Sequence, residues 1–185
     1  MPKDKIALQG EDSFKAEMFK EFSDTIEDNA LYVATTGSDS NAGTIDKPFA
    51  TVQKALDTVK AGQTIYVRGG TYNALNSFKT SGSEGKYITL RNYPNETPFL
   101  TCTTGTNGAI LLLNGCNYIK IYGLEIGGHS AEQAYGILIN DCENHIIISN
   151  NHIHNLLTTK PGENENGEAN GILLFWRGQD RWNFY

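Results

Sequence analysis

Residues 109–126 read AILLLNGCNYIKIYGLEI and residues 136–153 read GILINDCENHIIISNNHI. Laid over each other, Ile110 meets Ile137, Leu112 meets Ile139, Asn117 meets Asn144, Ile119 meets Ile146, Ile121 meets Ile148 and Ile126 meets Ile153, every pair 27 residues apart. A fixed period with β-branched residues at alternate positions and Gly/Asn punctuation is the pattern of a β-solenoid. One coil is two or three short strands joined by tight turns. It cannot bury its own apolar face, so its inward side chains stack on those of the next coil. The overlay places Ile110, Leu112, Ile119, Ile121, Ile137, Ile139, Ile146 and Ile148 inside. It leaves Leu111, Leu113, Leu138 and Asn140 outside, together with Leu173 and Phe175 of the following coil.

The repeat extends both ways. Downstream, Gly171-Ile172-Leu173-Leu174-Phe175 opens another strand, 35 residues after Gly136, with the added residues in the segment 154–170. Upstream, Tyr87-Ile88-Thr89-Leu90 and Thr64-Ile65-Tyr66-Val67-Arg68 read as strands, with Ile88 one coil after Ile65. Asn144, Asn150 and Asn151 fall at turns, where Asn tolerates left-handed backbone and bonds to adjacent coils.

Before the first coil the composition changes. Phe14, Met18, Phe22 and Ile26 recur every four residues among charged ones, so residues 1–29 read as an amphipathic helical extension and 30–185 as the solenoid. Leu31-Tyr32-Val33-Ala34 reads as a strand and Gly37–Thr44 as a turn-rich loop. A helix over 49–59 follows, with Val52, Ala55, Leu56 and Val59 on one buried face. An amphipathic helix at an open solenoid end covers strand edges and core side chains.

The chain has 185 residues, 19 of them glycine, and a formal net charge of −6. That charge argues against a general binder of nucleic acid or anionic membrane. No apolar run approaches the ~20 residues that span a bilayer, and the start lacks an apolar signal core. Cys102, Cys116 and Cys142 are odd in number and have no metal-type spacing, so they read as buried thiols.

The run LYVATTGSDSNAGTIDKPFATVQKAL, followed by AGQTIYVRGGTY, resembles the opening of right-handed parallel β-helix proteins of the pectate-lyase-like superfamily. The matching elements are the Gly-Ser-Asp-x-Asn-x-Gly-Thr loop, the Lys-Pro-Phe-x-Thr-x-x-x-Ala helix and the Gly-x-Thr-Ile-Tyr-Val-x-x-Gly-x-Tyr strand. The resemblance covers about residues 31–175. It implies an all-β, right-handed parallel β-helix with an N-terminal capping helix, and a carbohydrate-active protein with an acidic polysaccharide as its partner. It also implies an extracellular or cell-surface location. Lyases of the superfamily use carboxylate-held Ca²⁺ and a basic residue at outward strand positions of a middle coil. The outward positions read above carry neither a paired Asp motif nor a Lys or Arg, so no catalytic residue is carried over. Two function classes stand: a polysaccharide lyase or related enzyme, in whole or as an inactive N-terminal fragment, and a non-catalytic carbohydrate-binding or surface-structural solenoid.

Candidate ligand residues lie where the repeat is interrupted. Segments 127–135 and 154–170 read as stacked loops beside an elongated cleft suited to a linear polysaccharide. His129, Tyr135, His152, His154 and Asn170 are the expected sugar contacts, with Tyr135 stacking on a ring. Glu163, Glu165 and Glu168 offer hard oxygen ligands of the kind Ca²⁺ takes. His152 and His154 flank Ile153 and point to one face of a strand, a spacing that binds metal or exchanges a proton, with no third ligand evident in the sequence.

After Phe175 the alternating pattern stops. Trp176, Arg177, Arg181, Trp182, Phe184 and Tyr185 replace it. The expectation is a β-helix incomplete at this end, which self-associates through uncovered strand edges; the alternative is an aromatic tail that folds back as a cap.

Overall fold

The computed structural model describes residues 26–142, 145–160 and 167–175. The expected helix over 1–29, the turn residue Asn144 and the aromatic segment after Phe175 lie almost wholly or wholly outside these residues. Thirteen strands and one helix are described: β1 (Leu31–Val33), α1 (Val52–Thr58), β2 (Thr64–Val67), β3 (Gly70–Asn73), β4 (Asn76–Phe78), β5 (Ile88–Asn92), β6 (Pro98–Thr101), β7 (Gly108–Asn114), β8 (Ile119–Tyr122), β9 (Glu125–Ala131), β10 (Gln133–Asn140), β11 (Ile146–Ser149), β12 (His152–Thr158) and β13 (Glu168–Phe175). They form three sheets, ordered β1-β2-β5-β8-β11, β4-β7-β10-β13 and β3-β6-β9-β12. Every strand pair is parallel. Successive strands in each sheet come from successive coils, which defines a three-sided parallel β-helix.

The core is a set of stacked rows. Leu31, Ile65, Leu90, Ile121 and Ile148 stand in register on one sheet. Tyr72, Leu100, Ile126 and Ile153 do so on the second, and Phe78, Leu113, Ile139 and Leu174 on the third. Burial is complete in the middle of each row and weakens toward β13: Ile65, Leu90 and Ile121 are fully buried, whereas Leu174 is 63% exposed. A row buries a side chain fully only where a coil lies on both sides of it.

The cap forms as expected, slightly shorter. Helix α1 starts at Val52, with the Thr51 hydroxyl accepting from the Lys54 N–H, and Val52, Ala55, Leu56 and the C-terminal flanking Val59 are buried. The preceding loop holds it. Asp39 accepts from the Ala50 and Thr51 N–H groups and from the Thr51 hydroxyl, and Asn41 donates to the Pro48 carbonyl at 2.9 Å. At Gly43, with φ of +77°, a Cβ would strike the Phe49 ring. The loop and helix motifs that carried the resemblance are thus one structural unit.

Two registers differ from the sequence overlay. On the third sheet Leu111 pairs with Ile137 and Leu113 with Ile139, an offset of 26 rather than 27. The turn from β10 to β11 is one residue longer than that from β7 to β8, and this restores the 27-residue offset at Ile119–Ile146. A one-residue shift exchanges the two faces of a strand. Leu111 and Leu113, expected outside, are therefore fully buried, and Leu112, expected inside, is half-buried, in an outer row with Ser77, Leu138 and Leu173. Ile110 is buried as expected. Ile65 pairs with Leu90 rather than Ile88, a two-residue difference that preserves the face.

Candidate functional site

On the sheet β3-β6-β9-β12, Ile126 and Ile153 point into the core, so Glu125, His152 and His154 point outward. Glu125 and His152 are register partners across adjacent coils. His154 Nε2 lies 3.0 Å from Glu125 Oε1, with side-chain exposures of 25% and 31%. The His152 and His154 rings stack with centroids 4.5 Å apart. Phe99, the register partner of Glu125 on the other side, stacks on His154 at 5.9 Å and 11°. Gly127, paired with His154, lets the two backbones approach: a Cβ there would collide with the His154 carbonyl. One potential ligand atom from each of Glu125, His152 and His154 lies within 4.8 Å of the others. The third member missing from the sequence reading is Glu125, 27 residues upstream of His152 and equivalent to it in the repeat.

The remaining candidates are dispersed. Residues 127–135 are not a loop: β9 runs to Ala131 and β10 starts at Gln133. His129 is fully buried, with Nδ1 2.9 Å from the Cys102 carbonyl oxygen and Nε2 3.1 Å from that of Gly108. The left-handed residue Gly128 (φ 65°) interrupts the alternation, and its counterpart Asn155 (φ 52°) does the same before the core residue Leu156, the partner of His129. Tyr135 is 6% exposed and so lacks the open ring face that sugar stacking needs. Its hydroxyl donates to Glu168 Oε2 at 3.0 Å. Burial, then the adjacent Glu168 carboxylate, pushes the phenol up. Asn170 is half-buried and pairs with Tyr135, while Glu168 is exposed. Glu163 and Glu165 lie outside the described residues.

The outer face of the sheet β1-β2-β5-β8-β11 carries a second constellation, in which Lys120 points outward as its strand alternation predicts and Arg91 joins it. The Arg91 guanidinium lies 5.6 Å over Tyr66 and 5.1 Å over Tyr122, and Lys120 Nζ lies 3.7 Å over Tyr87. Arg91 and Lys120 are buried and line a shallow cleft with Thr64, Thr89 and Lys86. Their signal was alternation within strands whose inward residues are aliphatic. Cys102, Cys116 and Cys142 are buried free thiols, as expected.

These three parallel sheets under an N-terminal cap define a parallel β-helix of the pectate-lyase-like class. The chain belongs to the Pel9A-like, right-handed β-helix family, which it matches over residues 31–174. It is 37% identical over 145 residues to the uncharacterized protein YwoF of Bacillus subtilis, a match covering 74% of this chain and 31% of that protein. It is 30% identical over 164 residues to the pectate lyase PEL9 of Emericella nidulans, covering 78% of this chain and 38% of the relative. The chain therefore spans about a third of the length of these relatives. Among solved structures, a rhamnogalacturonan lyase superposes with a TM-score of 0.52 at 22% identity, over 66% of this chain and 36% of that one, a likeness of fold. The family match and the pectate lyase relative relate the chain to polysaccharide lyases.

Proposed function

We propose that this chain supplies coils of a carbohydrate-active β-helix that acts on or binds an acidic polysaccharide of the uronate type. The observation that supports the reading is family membership over 31–174, with a pectate lyase among the relatives. In this reading the polymer runs across the coils and is contacted by His152 and His154 on β12, with Asn170 on β13 of the adjoining sheet as a separate contact. Ca²⁺, gathered by Glu163, Glu165 and Glu168, neutralises uronate carboxylates. The proposed setting is extracellular or cell-surface.

A binding role without catalysis on the outer face of β4-β7-β10-β13 is favoured by one observation. β-Elimination needs a base at the reacting carbon and a cation at the carboxylate. Yet the outer row Ser77, Leu112, Leu138 and Leu173 and its neighbours Asn114, Asn140 and Phe175 carry no acidic or basic side chain. The test is affinity electrophoresis of the chain in gels containing polygalacturonate, alginate or neutral xylan, with and without Ca²⁺, beside an ultraviolet assay for unsaturated products. Retardation by an acidic polymer alone, weakened by the His154→Ala substitution, is the expected result. Equal mobility in all gels, with no product absorbance, would remove the polysaccharide reading.

A further inference from the structure

We propose that Glu125, His152 and His154 form a transition-metal site of the Zn²⁺ class, stapling two adjacent coils and leaving one coordination position open to solvent. The proposal stands on the geometry of this face; it uses the two histidines given to the polymer above, and its test needs no polysaccharide.

Two imidazoles and a carboxylate are the donor set of a three-ligand zinc site with an open position. With metal–ligand bonds of about 2.0–2.1 Å, donors around a tetrahedral ion lie about 3.3 Å apart. His154 Nε2 and Glu125 Oε1 are 3.0 Å apart, and the whole donor set is gathered within 4.8 Å. The His152 ring is exposed and stacks on His154 in this structure, and turning it out of that stack would bring its nitrogen onto the same point. The strand geometry prepares the site. Glu125 and His152 are held side by side by β9–β12 pairing, and His154 lies on the same face as His152 across Ile153. Phe99 backs the His154 ring at 11°, fixing its plane, and the missing side chain at Gly127 lets the His154 backbone lie close against β9.

The donor chemistry also selects the ion. Ca²⁺ and Mg²⁺ require shells of oxygen ligands, whereas imidazole suits Zn²⁺, Co²⁺, Ni²⁺ and Cu²⁺. This site is therefore chemically distinct from the Ca²⁺ role given to the glutamates of the 160s. It joins donors 27 residues apart, so a bound ion resists separation of the two coils. Its open position faces outward, where a water, carboxylate or hydroxyl coordinates.

The full 185-residue chain, freed of any affinity tag and stripped with a chelator, would be titrated with Co²⁺ and then Zn²⁺. One equivalent of Co²⁺ should produce a saturable tetrahedral visible spectrum, bleached by Zn²⁺ and indifferent to millimolar Ca²⁺. His152→Ala, His154→Ala and Glu125→Gln should each weaken binding by at least about tenfold, the size of effect already seen for partners that do not touch the metal. His145→Ala, on the ring stack with Tyr118, should bind as the parent does. Circular dichroism in parallel separates lost binding from lost folding, and Glu125→Gln preserves the side-chain shape if a histidine variant does not fold. No saturable Co²⁺ spectrum, a spectrum retained in both histidine variants, or displacement by Ca²⁺ would each overturn the proposal.

Discussion

The Asp39 carboxylate accepts the Thr51 hydroxyl at 2.8 Å and the Thr51 backbone N–H at 3.0 Å, tying the turn-rich loop to the start of the capping helix. A third bond comes from the Ala50 N–H. Asp39→Ala removes all three and leaves the start of α1 short of an acceptor. The expected loss is about 1–2 kcal/mol of stability, read as a lower urea midpoint with an unchanged slope. An unchanged midpoint would show that the loop does not hold the cap.

The register of β7 can be tested by a pair of substitutions. Leu113 is fully buried between Phe78 and Ile139, so Leu113→Ala should cost about 2–5 kcal/mol. Leu112 belongs to the half-buried outer row, and Leu112→Ala should cost well under half as much. The reverse order would restore the uniform 27-residue overlay.

Asn151 works between coils. Its Oδ1 accepts from the Leu124 N–H at 3.0 Å and its Nδ2 donates to the Ile121 carbonyl at 2.9 Å. Asn151→Ala strands two backbone groups of the preceding coil, and about 1–3 kcal/mol should be lost. Asn151→Asp keeps only the acceptor, so hydrogen exchange at Leu124 should stay slow in it and quicken in the alanine variant.

Glu96 links stability to pH. Its carboxyl is held below the usual range, first by the Arg68 guanidinium and then by the Gly69 N–H, against an opposing effect of burial. A lowered folded-state pKa contributes stability that is complete above the unfolded value of about 4.3 and lost as pH falls through the folded value. The difference between the parent and Glu96→Gln should be largest near neutrality, about 1 kcal/mol or less because Arg68 is 39% exposed, and should close in acid. A difference that persists unchanged at low pH would assign the effect to shape rather than charge.

At the other end of the described coils, Ile172 and Leu174 are 42% and 63% exposed on β13. We expect the chain to self-associate through this stack. Sedimentation should show Leu174→Glu shifted toward monomer relative to the parent, and identical monomers in both would remove the expectation.

The repeat was legible because stacking forces neighbouring coils to resemble each other: Ile119, Ile121 and Ile126 recur as Ile146, Ile148 and Ile153, and their inward orientation follows from alternation alone. The cap was legible too, through the buried spacing of Val52, Ala55 and Leu56. Where alternation is locally broken, inference from it failed. One added turn residue exchanged the faces of Leu111, Leu112 and Leu113, and a left-handed Gly128 carried His129 into the core.

The candidate site divides the same way. The sequence by itself determined that His152 and His154 share one face, since strand geometry is local. Only the tertiary structure decided that Glu125 stands beside them and Phe99 behind them, because these contacts depend on the register between coils. That register is set by turn lengths and core packing summed along the chain, and no single stretch of residues contains it.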